Sequence, residues 1–387
     1  MSSVIVLNNS HIVGNNNSQF KYNFPSGSYD VSDGCELSVS LIQIPYSWFN
    51  VSSNLGNNVF QYTIPVLNAV SFTGSIAGNV LSVTIAPATG KIIIGDVLSV
   101  GSSLSVTSYL TGSGGIGTYQ LSSSFTQASV AMNGTHPTTY SVKLKDGFYT
   151  LQDINTALQA SLKENYLFSY SITAPGVVSG LSNPSIIYPI SLTTNITLYA
   201  NQFVLSFIPS ANADLTTMYG AGYLWALTFP TTSSPLVAPQ VIIPAGVTAS
   251  STKLGNLIGF QSGTYPAATS TLVIANASIN SFQLSISGNS LQAIPPFPAL
   301  GSNVNSVLVH CNLIDNKVGF QSDILDCIPI SSTFGSNINY LPICFNGIKV
   351  RPGKYSNIII TFTDGQGNTL QANDPNALIT LILSISK

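Results

Sequence analysis

Charge is what this chain has least of. Of its 387 residues only 6% are Asp, Glu, Lys or Arg, and the formal net charge is −2, against about 25% charged residues in an ordinary globular protein. Phosphate affinity comes from clustered Lys and Arg, of which the chain has 11 in all, so a direct nucleic-acid partner is excluded. The nearest cluster, Lys349, Arg351 and Lys354, reads as a solvated loop around Pro352 and Gly353. Histidine is as scarce: His11, His136 and His310 are scattered, and no HExxH, GxSxG or zinc-type spacing occurs. The four cysteines, Cys35, Cys311, Cys327 and Cys344, show no CxxC spacing and read as reduced, buried thiols of an intracellular product. The opening MSSVIVLNNSHIVGNNN lacks a basic start and a small-residue cleavage site, and is read as no secretory signal. Apolar runs such as Ala377 to Leu383 are too short to cross a bilayer.

Asn, Ser, Thr and Gln take the place of charge, as in Asn15-Asn-Asn-Ser18 and Thr231-Thr-Ser-Ser234. Such a surface binds water well but repels copies of itself weakly, because colloidal repulsion depends on net charge. Assembly into something larger follows as an expectation. With 44% hydrophobic and 10% aromatic residues the chain has enough apolar surface to fold.

Alternation dominates the pattern. In Glu36 to Ile44, Leu37, Val39 and Leu41 fall on one face and Glu36, Ser38 and Ser40 on the other, the period of a half-buried strand. Phe60 to Ile64, Tyr140 to Leu144, Phe168 to Ile172, Phe282 to Ile286, Val307 to His310 and Ile358 to Thr363 read the same way. Asp364-Gly-Gln-Gly-Asn368 marks a tight turn after the last of these, because glycine accepts the positive φ such turns require. Many short strands and few helices give an all-β sandwich or barrel. One helix stands out: Thr150-Leu-Gln-Asp153 forms a capping-box pattern ahead of Leu151, Ile154, Leu158 and Leu162 at helical spacing. It is expected to cover an open end or edge of the sandwich.

Between Leu67 and Thr138 the texture turns glycine-rich and poor in charge. Cutting residues 68–138 out would join Phe60–Ile64 to Tyr140–Leu144 as a hairpin, so this stretch is expected to be a small β-domain inserted at a loop tip. Its Thr111-Gly-Ser-Gly-Gly-Ile-Gly-Thr118 superficially suggests a phosphate cradle, but lacks the Lys-Ser/Thr of a P-loop and precedes a strand; a hairpin turn is the reading. The densest titratable patch, His310-Cys311 with Asp315, Asp323 and Asp326, puts His310 and Cys311 on opposite faces of a strand, which argues against a Cys/His pair. Tyr223 and Trp225 could offer a sugar-stacking platform, although packing is the commoner use of such rings.

Several segments, read in order, resemble the penton, or minor capsid, proteins of virophages and related polinton-like viruses, nearest to the Sputnik-like virophages. They are Ile44-Pro-Tyr-Ser-Trp-Phe-Asn50, Asp146 to Leu158, Leu254 to Phe260 with Tyr265-Pro266, and Ser306 to Leu313 followed by Asp323 to Leu325 and Ile328 to Ile330. The resemblance implies a single eight-stranded jelly roll over residues 1–67 and 139–387, with 68–138 as the inserted β-domain. It implies a homopentamer at the five-fold vertices of a virion, contacting a major capsid protein built as a double jelly-roll, hexon-like trimer, with no cofactor and no enzymatic activity. Counting Phe20–Phe24, Glu36–Ile44 and Val59–Ile64 as the first three strands puts the insert after the third, at an end that faces outward in that family. Tyr46, Trp48 and Phe49, beyond the strand end at Pro45, are then the expected subunit-contact residues, because aromatics bury much area at low conformational cost. An internal core position is the competing reading for Trp48. The alternative function is a carbohydrate-binding attachment or spike protein with the insert as its receptor-binding head.

Overall fold

A computed structural model of the chain describes residues 3–13, 16–64, 69–88, 90–100, 104–171, 186–195, 200–205, 223–225, 239–245, 254–260, 262–265, 304–314, 323–342, 347–365, 367–370 and 380–386. The expected strand Phe282–Ile286 and Cys344 lie outside the described residues. The chain divides into two compact units: Met1–Asn50 with Asp146–Phe148 and Ser302–Lys387, and Val51–Lys145 with Tyr149–Gly301.

The first unit is a sandwich of strands β1 (Ser3–Leu7), β2 (Asn16–Asn23), β3 (Glu36–Pro45), β4 (Ser306–Cys311), β5 (Ile324–Pro329), β6 (Asn337–Tyr340), β7 (Asn357–Thr363) and β8 (Thr380–Ser386). One sheet runs β1-β8-β3-β6 and the other β2-β7-β4-β5, every pair antiparallel. In chain order these are 1-8-3-6 and 2-7-4-5, the strand order of a jelly roll made from two Greek keys. Short strands add to the edges: Ile12–Val13 beside β2, and Ile348–Lys349 further along the β6 side of β3. Alternate residues of both sheets meet in one core, with Leu37, Ile42, Phe20, Val309 and Ile360 almost fully buried. Each such side chain contributes about 1.5–3 kcal/mol on leaving water.

The strand count read from sequence is corrected here. Ser3–Leu7 is the first strand, Phe20 belongs to the second and Glu36–Pro45 is the third. Val59–Thr63 pairs with Thr139–Lys143 and Gln240–Ile243 in the other unit. The chain between β3 and β4 therefore carries far more than residues 68–138.

The alternation in β3 also breaks once. Ile382 of β8 faces Leu41 while the next residue faces Val39, so Ser40 is the extra residue of a β-bulge. Before it Leu37 and Val39 point inward; after it Ile42 and Ile44 do, at 0% and 3% exposure. Leu41, expected on the core face, is turned outward.

In the second unit Val59–Thr63 and Thr139–Lys143 pair from Thr63↔Thr139 to Val59↔Lys143, the hairpin expected once the intervening residues are set aside. Helix α1 (Leu151–Glu164) starts at Thr150, whose Oγ1 accepts from the Asp153 N–H at 3.2 Å while Asp153 Oδ2 accepts from the Thr150 N–H at 2.8 Å. Its buried face, Ile154, Leu158 and Leu162, joins the core of this unit with Phe60, Leu192 and Phe203. Asn155 Oδ1 accepts from the Leu192 N–H at 2.8 Å. The helix thus belongs to the second unit's core, not to the sandwich it was expected to cover.

Residues 70–135 hold a core of their own around Phe72, Leu81, Tyr119 and Met132. Strands Val70–Ile85 and Gly117–Thr135 pair along their length, with register shifts between Gln120 and Phe125 and between Gln127 and Val130. The ribbon folds over itself, bringing Gly74 against the Ser82 carbonyl so closely that a Cβ there would lie 2.7 Å from its oxygen.

Deleting Ser40 removes the bulge and leaves Leu37, Val39, Ile42 and Ile44 on the core face of a strictly alternating β3, with the β8 pairing intact on both sides of the deletion. The expected change is within about 1.5 kcal/mol, measured by urea unfolding of the sandwich; a loss above about 3 kcal/mol, the exposure of buried isoleucines, contradicts the bulge. Replacing Ser40 by Thr keeps the bulge and the stability.

Candidate assembly surface

Past Pro45 the chain stays pinned to the turn that enters β6: the Tyr46 N–H donates to the Ser336 carbonyl and the Gly335 N–H to the Tyr46 carbonyl, both at 2.9 Å. This seats an aromatic cluster. The Tyr46 ring lies 4.6 Å from Trp48 and 5.7 Å from both Phe148 and Phe334, and Phe148 stacks on Phe334 at 4.3 Å and 11°. The three expected contact residues separate in their surroundings. Tyr46 and Trp48 are each 4% exposed and belong to the sandwich core; Phe49 is half-buried. The exposed ring of the cluster is Phe334, at 38%. Its sequence context, Ser331-Ser-Thr-Phe-Gly-Ser336, has no alternation to mark it. The Trp48 indole N–H is buried with no acceptor among the described residues, a cost of about 1–3 kcal/mol that the ring packing offsets.

The glycine-rich run wraps a tyrosine instead of an anion. The Tyr119 hydroxyl donates to the Gly115 carbonyl at 2.5 Å, Tyr166 to Ser113 at 2.7 Å and Tyr109 to Ile92 at 3.3 Å. Carbonyl oxygens, not N–H groups, thus meet the surrounding phenols, the wrong polarity for phosphate. A Cβ on Gly112 would stand 2.4 Å from the Tyr119 ring, whereas one on Gly115 would meet nothing within 4 Å. Tyr166 sits in the left-handed region at φ 56°, with the Lys91 ammonium 4.5 Å from its ring centroid. Burial pushes the Tyr109 and Tyr119 phenols above their ordinary range. Near the ends of this stretch His136 Nδ1 lies 2.6 Å from Asp96 Oδ1, and Asp96 Oδ2 accepts from the Ile93 N–H at 2.9 Å. Burial raises the pKa of Asp96, and His136 opposes that rise.

His310 has partners that sequence reasoning missed. Its Nδ1 lies 3.0 Å from Asp323 Oδ1 and its Nε2 2.8 Å from Thr363 Oγ1. The Thr363 hydroxyl also lies 3.2 Å from the Asp364 carbonyl, a second group to which it can donate. The His310–Thr363 contact ties β4 to β7. Cys311 faces the other way, into the core, where burial pushes its thiol up to about 12. Cys35 is buried as expected, but Cys327 is exposed. Among the described residues no group of three or more His, Cys, Asp or Glu side chains converges as a metal-ligand set. Tyr223–Trp225 forms a strand paired with Ser169–Ser171.

No family model matches the sequence, and no curated protein matches it. Among solved structures the chain is similar to the mavirus penton protein, with 7% identity and a TM-score of 0.38 over 100% of this chain and 99% of that one. It is also similar to a chain of the Sputnik virophage structure, with 13% identity and a TM-score of 0.32 over 100% of this chain and 97% of that one.

Gly112→Ala forces the Tyr119 ring out of its clasp and is expected to cost about 1–3 kcal/mol, seen as a lower midpoint in thermal unfolding. Gly115→Ala, two bonds from the same hydroxyl contact, stays within about 0.5 kcal/mol of the native chain.

Proposed function

We propose that this chain is a structural capsid protein, five copies of which close an icosahedral vertex of a virion beside a major capsid protein of the double jelly-roll, hexon-like kind. The observation that carries the reading is the 1-8-3-6 and 2-7-4-5 strand order of the sandwich. Jelly rolls serve viral capsids, lectins and cupins alike, and the ordered segments from Ile44-Pro-Tyr-Ser-Trp-Phe-Asn50 to Ile328-Pro-Ile330 favour the first of these. The role is architectural and calls for no cofactor and no catalytic group.

Low charge suits such a role. Subunit contacts made of hydroxyl, amide and apolar groups avoid the desolvation cost of buried ions. In this reading Tyr46 and Trp48 act from beneath the surface, holding Phe334 and Phe49 where a neighbour meets them. Residues 68–138 form a module nested in the long β3-to-β4 excursion, flanked by the paired strands Val59–Thr63 and Thr139–Lys143, and project from the vertex.

Native mass spectrometry of the purified chain, or of vertices released from particles, tests the reading. The expected species has five times the 40.7 kDa chain mass. A monomer or trimer under every condition, including release from particles, overturns it. Specific retention on a glycan array by a chain that never assembles would move the assignment to the attachment class.

A further inference from the structure

Among the described residues the sheet β1-β8-β3-β6 ends in two edges that pair with no further strand, and one apolar row runs between them. Val6 faces Ile382 across β1 and β8, and Ile382 faces Leu41 across β8 and β3. Leu341 follows Tyr340, the partner of Ile42, and so comes level with Leu41. The inward neighbours Ile5, Leu7, Ile42, Ile338 and Ile385 are buried, which places Val6, Ile382, Leu41 and Leu341 on the outer face. The Ser40 bulge is what puts Leu41 there. At the two ends the row stands open: Val6 is 47% exposed and Leu341 71%.

Proteins usually blunt a bare sheet edge with charge or proline, because its unpaired N–H and C=O groups are a template for another strand. β5, at an edge of the opposite sheet, carries Asp326 and Pro329. β1 (SVIVL) and β6 (NINY) carry neither, and the one charge further along the β6 side is Lys349, level with Glu36 and away from the Leu341 end. Four alternating antiparallel strands also make β1 and β6 run in opposite directions. A second copy turned about an axis along the strands therefore sets the end of its β6 antiparallel beside the end of β1, Tyr340 level with Leu7 and Leu341 with Val6, while Ser3 at the start of β1 comes level with its Ile348. A two-fold contact of β1 with β1 would cover Val6 and leave Leu341 bare. We propose that β1 of one copy pairs with β6 of the next, Val6 against Leu341, so that this sheet continues from subunit to subunit. The contact is head to tail and closes only as a ring. It rests on the reading that copies of this chain assemble around an axis, and adds which edges meet.

Facing side chains on paired strands have Cβ atoms about 4.5–5.5 Å apart, within reach of a disulfide or a short bis-maleimide. In a Cys327→Ser background, Val6→Cys combined with Leu341→Cys should give a ladder of SDS-resistant species ending in a closed ring, while each single variant stays one chain long. Val6→Asp and Leu341→Asp, both at exposed positions, should weaken assembly at least about 100-fold with thermal unfolding of the subunit unchanged. Dimers from Val6→Cys alone, or assembly by both Asp variants at native strength without a ladder from the double variant, overturn the edge pairing. A five-copy native mass in that second case leaves the vertex reading standing. A ladder that closes at another number supports the edge pairing and contradicts five-fold assembly, and a chain that never associates contradicts both.

Discussion

The sandwich depends on one pairing: β8, from the end of the chain, lies between β1, from its start, and β3, along Ser3↔Ile385 to Leu7↔Leu381 on one side and Glu36↔Ser386 to Gln43↔Thr380 on the other. Without it β1 has no partner and β3 loses one whole side. The pairing spans nearly the full sequence, so its closure entropy must be met before any contact rewards it. That cost grows only with the logarithm of the loop. A jelly roll can therefore carry residues 51–145 and 149–301 as a separate compact unit between its third and fourth strands.

Hydroxyl and amide pairs do on these sheets what ion pairs do elsewhere. Ser40 Oγ meets Ser384 Oγ at 2.7 Å, Gln19 Nε2 donates to Thr361 Oγ1 at 3.4 Å and Gln61 Nε2 to Ser141 Oγ at 3.2 Å. Where carboxylates do find a basic partner, in His136 with Asp96 and His310 with Asp323, that partner is histidine. A surface built this way carries little like-charge repulsion, the physical condition for copies to pack closely. The tyrosine clasp applies the same economy inside the glycine-rich module: three phenols tie loop carbonyls, where a more charged protein would use Arg or Lys.

Elements whose signal is local were legible in the sequence. Helix α1 announced itself through Thr150 and Asp153, and the pairing of Val59–Thr63 with Thr139–Lys143 followed from matched alternation around a glycine-rich interruption. The Asp364–Asn368 turn was equally plain, with Gly367 at φ 86°. What escaped depends on long-range register. Five residues, Ser3–Leu7, are too few to declare a strand until β8 returns to pair with them. The Ser40 bulge is invisible because a single inserted residue leaves the local composition unchanged. At the candidate surface, Tyr46 and Trp48 were conspicuous as rings, but only tertiary packing decides that Phe148 and Phe334 cover them. His310 and Thr363 stand 53 positions apart and meet only because β4 pairs with β7.

The measurement closest to the central claim is the unfolding of a chain ended at Ile379, which lacks β8 alone. Its sandwich residues should show no cooperative transition and no slowly exchanging amides in β1, β3 or β7, because the central strand of one sheet is gone. Retention of native amide protection in β3 and β7 by that shortened chain would contradict the account.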